Sequence, residues 1–290
     1  MDPSVKPDKV PIKKLLFVTD LDKTLLDDNA QVPRECLEAA AQFVEQGGLF
    51  TVATGRPTRG AMLYPELVEL VNLPIITYNG GCIYDVKAGR VLWRQFLPES
   101  VRPSLSEALE RFQQVGFLIF RGEDDFTCAV RENAYTREIS WNREQYQAPL
   151  LPIASVPVPW NKIVAAGPED QIALCGEFLK ANIPDPVTLV ISEGQFIELN
   201  GPRVGKGLAL RRLAEMFHLS QDKVVAIGDS MNDMGMLQWA GTGVAVANGE
   251  PELKAVADRL VCSNQEHGVR QCVEQILLPM LHQAGPASGL

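Results

Sequence analysis

The sequence has few of the residues that bind transition metals or form disulfides. It contains 3 histidines and 6 cysteines, with no Cys-x-x-Cys pair and no two histidines at metal-ligand spacing. This excludes zinc hydrolases of the His-Glu-x-x-His type. Scattered cysteines are typical of reduced, mostly buried thiols rather than of a disulfide framework. We therefore expect a cytoplasmic protein.

The sequence also lacks a basic balance and long apolar runs. Its 27 basic and 36 acidic side chains give a net charge of −9. This charge disfavours binding to nucleic acid or to an anionic membrane, because both require a basic face. The apolar run after the polar segment MDPSVKPDKVPIKK has only about four residues, too few for a signal peptide or a membrane span. We expect no nucleic-acid or membrane partner, and no pattern implies a protein partner.

Apolar strands and amphipathic helices alternate near both ends of the chain. The apolar segments are LLFV (15–18), LFTVAT (49–54), PIITY (74–78), KVVAIGD (223–229) and GVAVA (243–247). Near-continuous apolar strands that alternate with helices indicate a parallel sheet covered on both faces. The pattern predicts an α/β fold with a doubly wound, Rossmann-like core.

The middle of the chain has a different pattern. It begins with a hairpin pattern in CIYDVKAGRVLWRQFL (82–97) and continues with two helices, near 99–115 and 169–181, among several short strands. This is typical of an α+β layer with a mostly antiparallel sheet. We therefore predict an α+β domain at 86–193, inserted into a core formed by 1–85 and 194–290.

Polar residues follow the strands of the predicted core. In open α/β sheets, ligands bind outside the carboxyl ends of the strands, so these residues are candidates for one site. Any one cluster is compatible with an ordinary turn or helix cap, but the convergence of all of them favours a functional site. The candidates are Asp20, Asp22, Thr54, Gly55, Arg56, Asn79, Lys206, Asp229, Asn232 and Asp233.

These residue types suit the chemistry of a phosphate group. Asp20, Asp22 and Asp229 offer hard oxygen ligands of the kind that Mg²⁺ prefers, and Mg²⁺ also accepts phosphate oxygens. Lys206 adds a second positive charge, and Thr54 with the following backbone N–H groups can hold phosphoryl oxygens. A carboxylate that attacks a phosphate dianion meets like-charge repulsion, which a divalent cation and a lysine reduce.

Four motifs, in order, resemble those of the haloacid dehalogenase superfamily. They are DLDKTLL (20–26), VATGR (52–56), GKGLAL (205–210) around Lys206, and GDSMNDMGML (228–237). The phrases YNGG, VAVANGEPELKAVAD and NQEHGV further resemble Cof-type phosphatases that carry a class 2 (C2B) α/β cap. A cap-sized gap separates the second and third motifs, so the resemblance implies that 86–193 is the substrate-selecting cap domain and that 1–85 and 194–290 form the catalytic core.

The resemblance implies a role for each catalytic residue. Asp20 would be the nucleophile that forms an aspartyl-phosphate, and Asp22 would be the general acid and base. Mg²⁺ would be held by the Asp20 carboxylate, the Asp22 backbone carbonyl and Asp229. Lys206 would neutralise the phosphoryl group, which Thr54 would help to bind.

The resemblance also implies supporting roles around this centre. Gly55 would bind the phosphoryl group with Thr54, and Asn79 belongs to the same substrate-binding set. Asn232 would position phosphate or a metal-bound water, and Asp233 would orient Lys206. Arg56 has two open interpretations, a substrate contact or a structural salt bridge.

Three functions remain open at this point. The motifs favour a Mg²⁺-dependent phosphomonoesterase that acts on a small phosphorylated metabolite, such as a sugar phosphate. A phosphomutase of the same fold differs in that it moves phosphate instead of releasing it. A non-catalytic binding module would keep the fold alone, and the intact pair Asp20 and Asp22 argues against it.

Overall fold

The computed structural model describes residues 14–122, 126–139, 149–192 and 194–283, which group into two compact units. The first unit comprises the described residues up to Gly55, the segment Ala61–Trp93, and those from Gly205 onward. The second comprises Arg56–Gly60 and the described residues of Arg94–Val204. Within the described part of the chain, none of the helices combines the length and the apolar character that crossing a bilayer requires.

The strands are β1 (Leu16–Thr19), β2 (Leu49–Val52), β3 (Ile75–Thr77), β4 (Cys82–Asp85), β5 (Arg90–Arg94), β6 (Gly116–Arg121), β7 (Thr127–Arg131), β8 (Trp160–Ala166), β9 (Thr188–Ser192), β10 (Phe196–Asn200), β11 (Val224–Gly228), β12 (Thr242–Val246) and β13 (Arg259–Val261). The α-helices are α1 (Arg34–Glu45), α2 (Thr58–Ala61), α3 (Pro65–Leu70), α4 (Val101–Arg111), α5 (Ala134–Glu138), α6 (Glu169–Asn182), α7 (Lys206–Met216), α8 (Met234–Trp239), α9 (Pro251–Val256), α10 (Gly268–Cys272) and α11 (Leu278–Gln283).

The first unit is built on a parallel sheet with the strand order β13-β12-β11-β1-β2. Side chains alternate across β1, so Phe17 packs into one apolar core while Leu16 and Val18 pack into a second core on the other face. Residues of α1 and α10 contribute to the first core, and residues of α7 and α8 to the second. The predicted doubly wound α/β core is confirmed.

One strand that the sequence placed in the parallel sheet pairs differently. β3 pairs antiparallel with β4, in a separate sheet of order β3-β4-β5, and an isolated parallel bridge between Ala53 and Ile76 connects it to the segment that follows β2. The tight turn at Tyr78–Gly80 explains this pairing, because it returns the chain directly along β3.

The second unit is an antiparallel sheet of order β7-β6-β8-β10-β9, with α4 and α6 contributing to its apolar core. The sequence did not predict β10, which pairs with both β8 and β9 and therefore lies inside this sheet. The compact units change at Trp93–Arg94 and Val204–Gly205, whereas the sequence suggested boundaries at 86 and 193. The pairing of β5 with β4 and of β10 with β8 accounts for both differences.

Candidate active site

Asp20 is held at the carboxyl end of the central strand. Its backbone N–H donates to the carbonyl of Ile227 at 3.0 Å, which extends the pairing of β1 with β11, and the residue is 4% exposed. The next residues, Leu21–Leu25, form a tight turn that the N–H of Leu26 closes by donating to the carbonyl of Leu21 at 2.8 Å. Within this turn Lys23 has a left-handed backbone with φ 57°.

Lys206 links two of the carboxylates that the sequence singled out. It is the first residue of α7, and its ammonium group Nζ donates to Asp20 Oδ1 at 2.7 Å and to Asp233 Oδ1 at 2.6 Å. Burial alone would lower the pKa of Lys206, but the two carboxylates outweigh burial and raise it. Lys206 is therefore a permanent positive charge in a site with almost no solvent exposure.

The turn after β11 supplies the other two acidic side chains. Asp233 Oδ2 accepts from the backbone N–H groups of Asp229 and Ser230, both at 3.1 Å. Asp229 Oδ1 accepts from the hydroxyl of Thr24 at 2.9 Å. This last bond ties the turn after β11 to the turn after β1, through the threonine of the motif DLDKTLL.

The carboxylates of Asp20, Asp229 and Asp233 each place an oxygen within 4.8 Å of the others. Burial raises the pKa of Asp20 well above its usual value; Lys206 opposes this, and neighbouring carboxylates, including Asp22, add to it. The pKa of Asp229 is raised to about 6, first by burial and then by Asp233. A cation that binds carboxylate oxygens would stabilise crowded, buried carboxylates of this kind in their ionised form.

The donor set fits Mg²⁺, which takes one or two carboxylates from a protein together with other oxygens. Asp233 already accepts hydrogen bonds from Lys206 and from two backbone N–H groups, so Asp20 and Asp229 are the better candidate ligands. The side chain of Asp22 is not one of the three clustered carboxylates, and the resemblance implies a metal role for its backbone carbonyl, which stays a prediction.

Four further predicted residues lie together on the neighbouring turns. The carbonyl of Thr54 accepts from the N–H of Asn79 at 3.0 Å, and Asn232 Nδ2 donates to Asn79 Oδ1 at 3.2 Å. A Cβ atom at Gly55 would meet Asn79 Oδ1 at 2.7 Å, so glycine is needed there for the close approach. The structure thus joins Thr54, Gly55, Asn79 and Asn232, and the link between the two asparagines was not foreseen from the sequence.

Arg56 is the predicted site residue whose grouping differs from the rest. Its side chain is buried, with 2% exposure, and its contacts group it with the second compact unit, whereas all the others belong to the first. Its assignment as a substrate contact stays a prediction.

Comparisons with known proteins agree with the motifs. The family model of haloacid dehalogenase-like hydrolases matches residues 17–273. Phosphatase YwpJ of Bacillus subtilis (strain 168) is 28% identical over 286 residues, which cover 90% of this chain and 99% of YwpJ. The 5-amino-6-(5-phospho-D-ribitylamino)uracil phosphatase YitU of the same strain is 25% identical over 280 residues, which cover 91% of this chain and 97% of YitU.

A solved structure agrees as well. The crystal structure of a haloacid dehalogenase-like hydrolase from Bacteroides thetaiotaomicron matches with a TM-score of 0.82 and 28% identity, covering 91% of this chain and 99% of that one. The resemblance inferred from the four motifs is confirmed. This chain belongs to the family of haloacid dehalogenase-like hydrolases.

Proposed function

We propose that the protein is a Mg²⁺-dependent phosphomonoesterase that hydrolyses a small phosphorylated metabolite through a phosphorylated Asp20. The observation that carries this proposal is the 2.7 Å contact between Lys206 and Asp20 inside a buried site that Asp229 shares. A sugar phosphate or a related compound is the substrate class, since the relative YitU is named for a phosphorylated ribityl compound.

Two displacements at phosphorus complete the reaction. In the first, an Asp20 carboxylate oxygen attacks phosphorus, the ester P–O bond breaks, and Asp22 gives a proton to the leaving oxygen. In the second, Asp22 takes a proton from water as the water oxygen attacks phosphorus. The bond from phosphorus to Asp20 then breaks, and inorganic phosphate leaves.

The remaining residues reduce the charge repulsion that these steps face. Lys206 is placed to neutralise a phosphoryl oxygen beside Asp20, and Thr54 with the N–H of Gly55 would hold the other oxygens. Mg²⁺, held by Asp20, Asp229 and the backbone carbonyl of Asp22, would supply the second positive charge. The second unit, as an inserted α+β domain, would select the substrate, and we propose a cytoplasmic location.

The test is release of inorganic phosphate from p-nitrophenyl phosphate and from a panel of sugar phosphates. We expect Mg²⁺ to be required and EDTA to stop the reaction. Transfer of phosphate between positions without release would instead identify a phosphomutase, and no reaction with any ester would identify a binding module.

A pair of variants tests the nucleophile. Asp20→Asn should remove activity while the far-ultraviolet circular dichroism spectrum stays unchanged. Asp27→Asn is the matched control, because the Asp27 carboxylate accepts from backbone N–H groups of its own turn and an amide oxygen accepts them as well. Near-normal turnover by Asp20→Asn would show that another group attacks phosphorus.

A further inference from the structure

Two asparagines outside the four motifs hold the turn that follows Asp20. Asn248 Nδ2 donates to the carbonyl of Lys23 at 2.8 Å, and Asn264 Nδ2 donates to the carbonyl of Leu26 at 3.0 Å. The asparagines also contact each other, since the backbone N–H of Asn264 donates to Asn248 Oδ1 at 3.0 Å. We call Asn248 and Asn264 the asparagine bracket.

The bracket comes from parts of the chain that are far from the turn in sequence. Asn248 lies in the segment between β12 and α9, and Asn264 lies just after β13, where Ser263 and Glu266 form a capping box. Asn264 is 3% exposed, whereas Asn248 is exposed. The bracket therefore fixes the turn after β1 against the loops of two other strands in the same sheet.

The turn has a backbone that needs such external support. Lys23 adopts a left-handed conformation, which is uncommon for a residue other than glycine and persists where the surroundings determine it. The carbonyl of Lys23 is the group that Asn248 binds. This carbonyl belongs to the peptide that joins Lys23 to Thr24, and the left-handed backbone of Lys23 connects that peptide to the one that follows Asp22. Fixing the Lys23 carbonyl therefore restricts the backbone at Asp22 and, through it, the position of the Asp22 side chain.

We propose that the asparagine bracket is a positioning device that places the Asp22 carboxyl group for proton transfer to the leaving group. This inference rests on the proposed function, in which Asp22 is the general acid. Asn248 and Asn264 touch neither substrate nor metal in this role; they act through the backbone on either side of the turn.

Proton transfer matters more when the leaving group is a stronger base, and this dependence gives the proposal a specific readout. Phenolate is a stronger base than p-nitrophenolate, and the two aryl phosphates have nearly the same shape. A displaced Asp22 should slow the transfer of phosphate from phenyl phosphate to Asp20 and have little effect on the transfer from p-nitrophenyl phosphate. Loss of structure alone would slow both substrates by the same factor.

The main experiment measures kcat/KM of Asn248→Ala with both esters, because kcat/KM reports only the first displacement, in which the leaving group departs. We expect kcat/KM for phenyl phosphate to fall about fivefold, the effect of one lost hydrogen bond, with kcat/KM for p-nitrophenyl phosphate within about twofold. Asn248→Asp keeps the acceptor for Asn264 and loses the donor to Lys23, so it should behave as Asn248→Ala does. Since Asn248 is exposed, both variants should fold.

The matched control is Asn72→Ala. Asn72 Oδ1 accepts from the N–H of Phe50 at 2.7 Å and Nδ2 donates to the carbonyl of Gly48 at 2.9 Å, so it also bridges two backbone groups of the first unit. These bonds lie at the amino end of β2, away from the candidate site. Asn72→Ala should leave the ratio of the two kcat/KM values unchanged.

A second measurement separates this inference from the proposed function. Hydrogen–deuterium exchange of the Leu26 N–H, which closes the turn, should be faster in Asn248→Ala than in Asn72→Ala. Equal exchange, or an equal fall in kcat/KM for both esters, would overturn the bracket. If the unsubstituted protein releases no phosphate from these esters or from the panel of sugar phosphates, the proposed function fails, and the exchange rates still decide whether the bracket holds the turn.

Discussion

Replacement of Lys206 by methionine should destabilise the protein strongly, because it removes the charge between two buried carboxylates while keeping an unbranched side chain. The lysine Nζ lies 2.7 Å from Asp20 and 2.6 Å from Asp233. At such separations, two unit charges attract each other by about 6 kcal/mol for an effective dielectric constant of about 20. Much of this attraction offsets the cost of burying the charges, and breaking a buried pair costs about 3–5 kcal/mol. We expect Lys206→Met to lower the free energy of unfolding by that amount.

The matched control for this prediction is Lys162→Met. Lys162 is also buried and contacts Glu198 at 2.7 Å, but the Glu198 side chain is 23% exposed and can regain water when the lysine is removed. We expect a cost of about 1–3 kcal/mol there. Urea unfolding at neutral pH with EDTA, followed by circular dichroism, gives both values. If Lys206→Met costs no more than Lys162→Met, Lys206 does not offset two buried charges.

Two further predictions concern the stability of the fold. Burial raises the pKa of Cys36 to about 11 and of Cys175 to about 12, so only the unfolded thiols ionise near pH 9. Below that pH the thiols are protonated in both states and the stability is unaffected; above it, ionisation of the unfolded thiols lowers the free energy of unfolding by about 1.4 kcal/mol per thiol at pH 10. An unchanged urea midpoint between pH 8 and pH 10 would contradict this. A Cβ at Gly207 would lie 2.3 Å from the backbone of Gly235, so Gly207→Ala should lower the melting temperature by about 5 °C or more. Gly205→Ala, whose Cβ meets no atom closer than 4.0 Å, should lower it much less, because only the preference of the α7 N-cap for glycine over alanine is lost, and equal melting temperatures of the two variants would refute the argument.

The location of the site could be predicted because parallel strands bring their carboxyl ends to one edge. Asp20 and Asp229 follow adjacent strands, so their proximity follows from the order of the sheet once the strands are recognised. The bond between Thr24 and Asp229 depends on how the turn after β1 closes. A left-handed residue at Lys23 determines that closure, and no pattern in the sequence indicates it.

Other features depend on pairing between distant segments, which periodicity does not show. In β10, Ile197 and Leu199 pack into the apolar core, and Glu198 accepts a hydrogen bond from Lys162 of the neighbouring strand β8. The segment is therefore a strand only in the context of β8 and β9. The asparagine bracket also depends on contacts between distant segments, because Asn248 and Asn264 bind the carbonyls of residues more than 200 positions away in the sequence.

The place of β1 between β2 and β11 has a consequence for how the chain is synthesised. β1 and β2 emerge from the ribosome before the second unit, whereas β11 emerges only after the whole second unit has been made. Until then, one edge of β1 has no partner, and Asp20 has neither the lysine nor the turn that surround it in the finished protein. An open edge of an apolar strand is a template for wrong pairing. Nascent chains that stop before Val224 should therefore be the species that chaperones bind during translation, and Asp20 acquires the neighbours of its site only after β11 has been made.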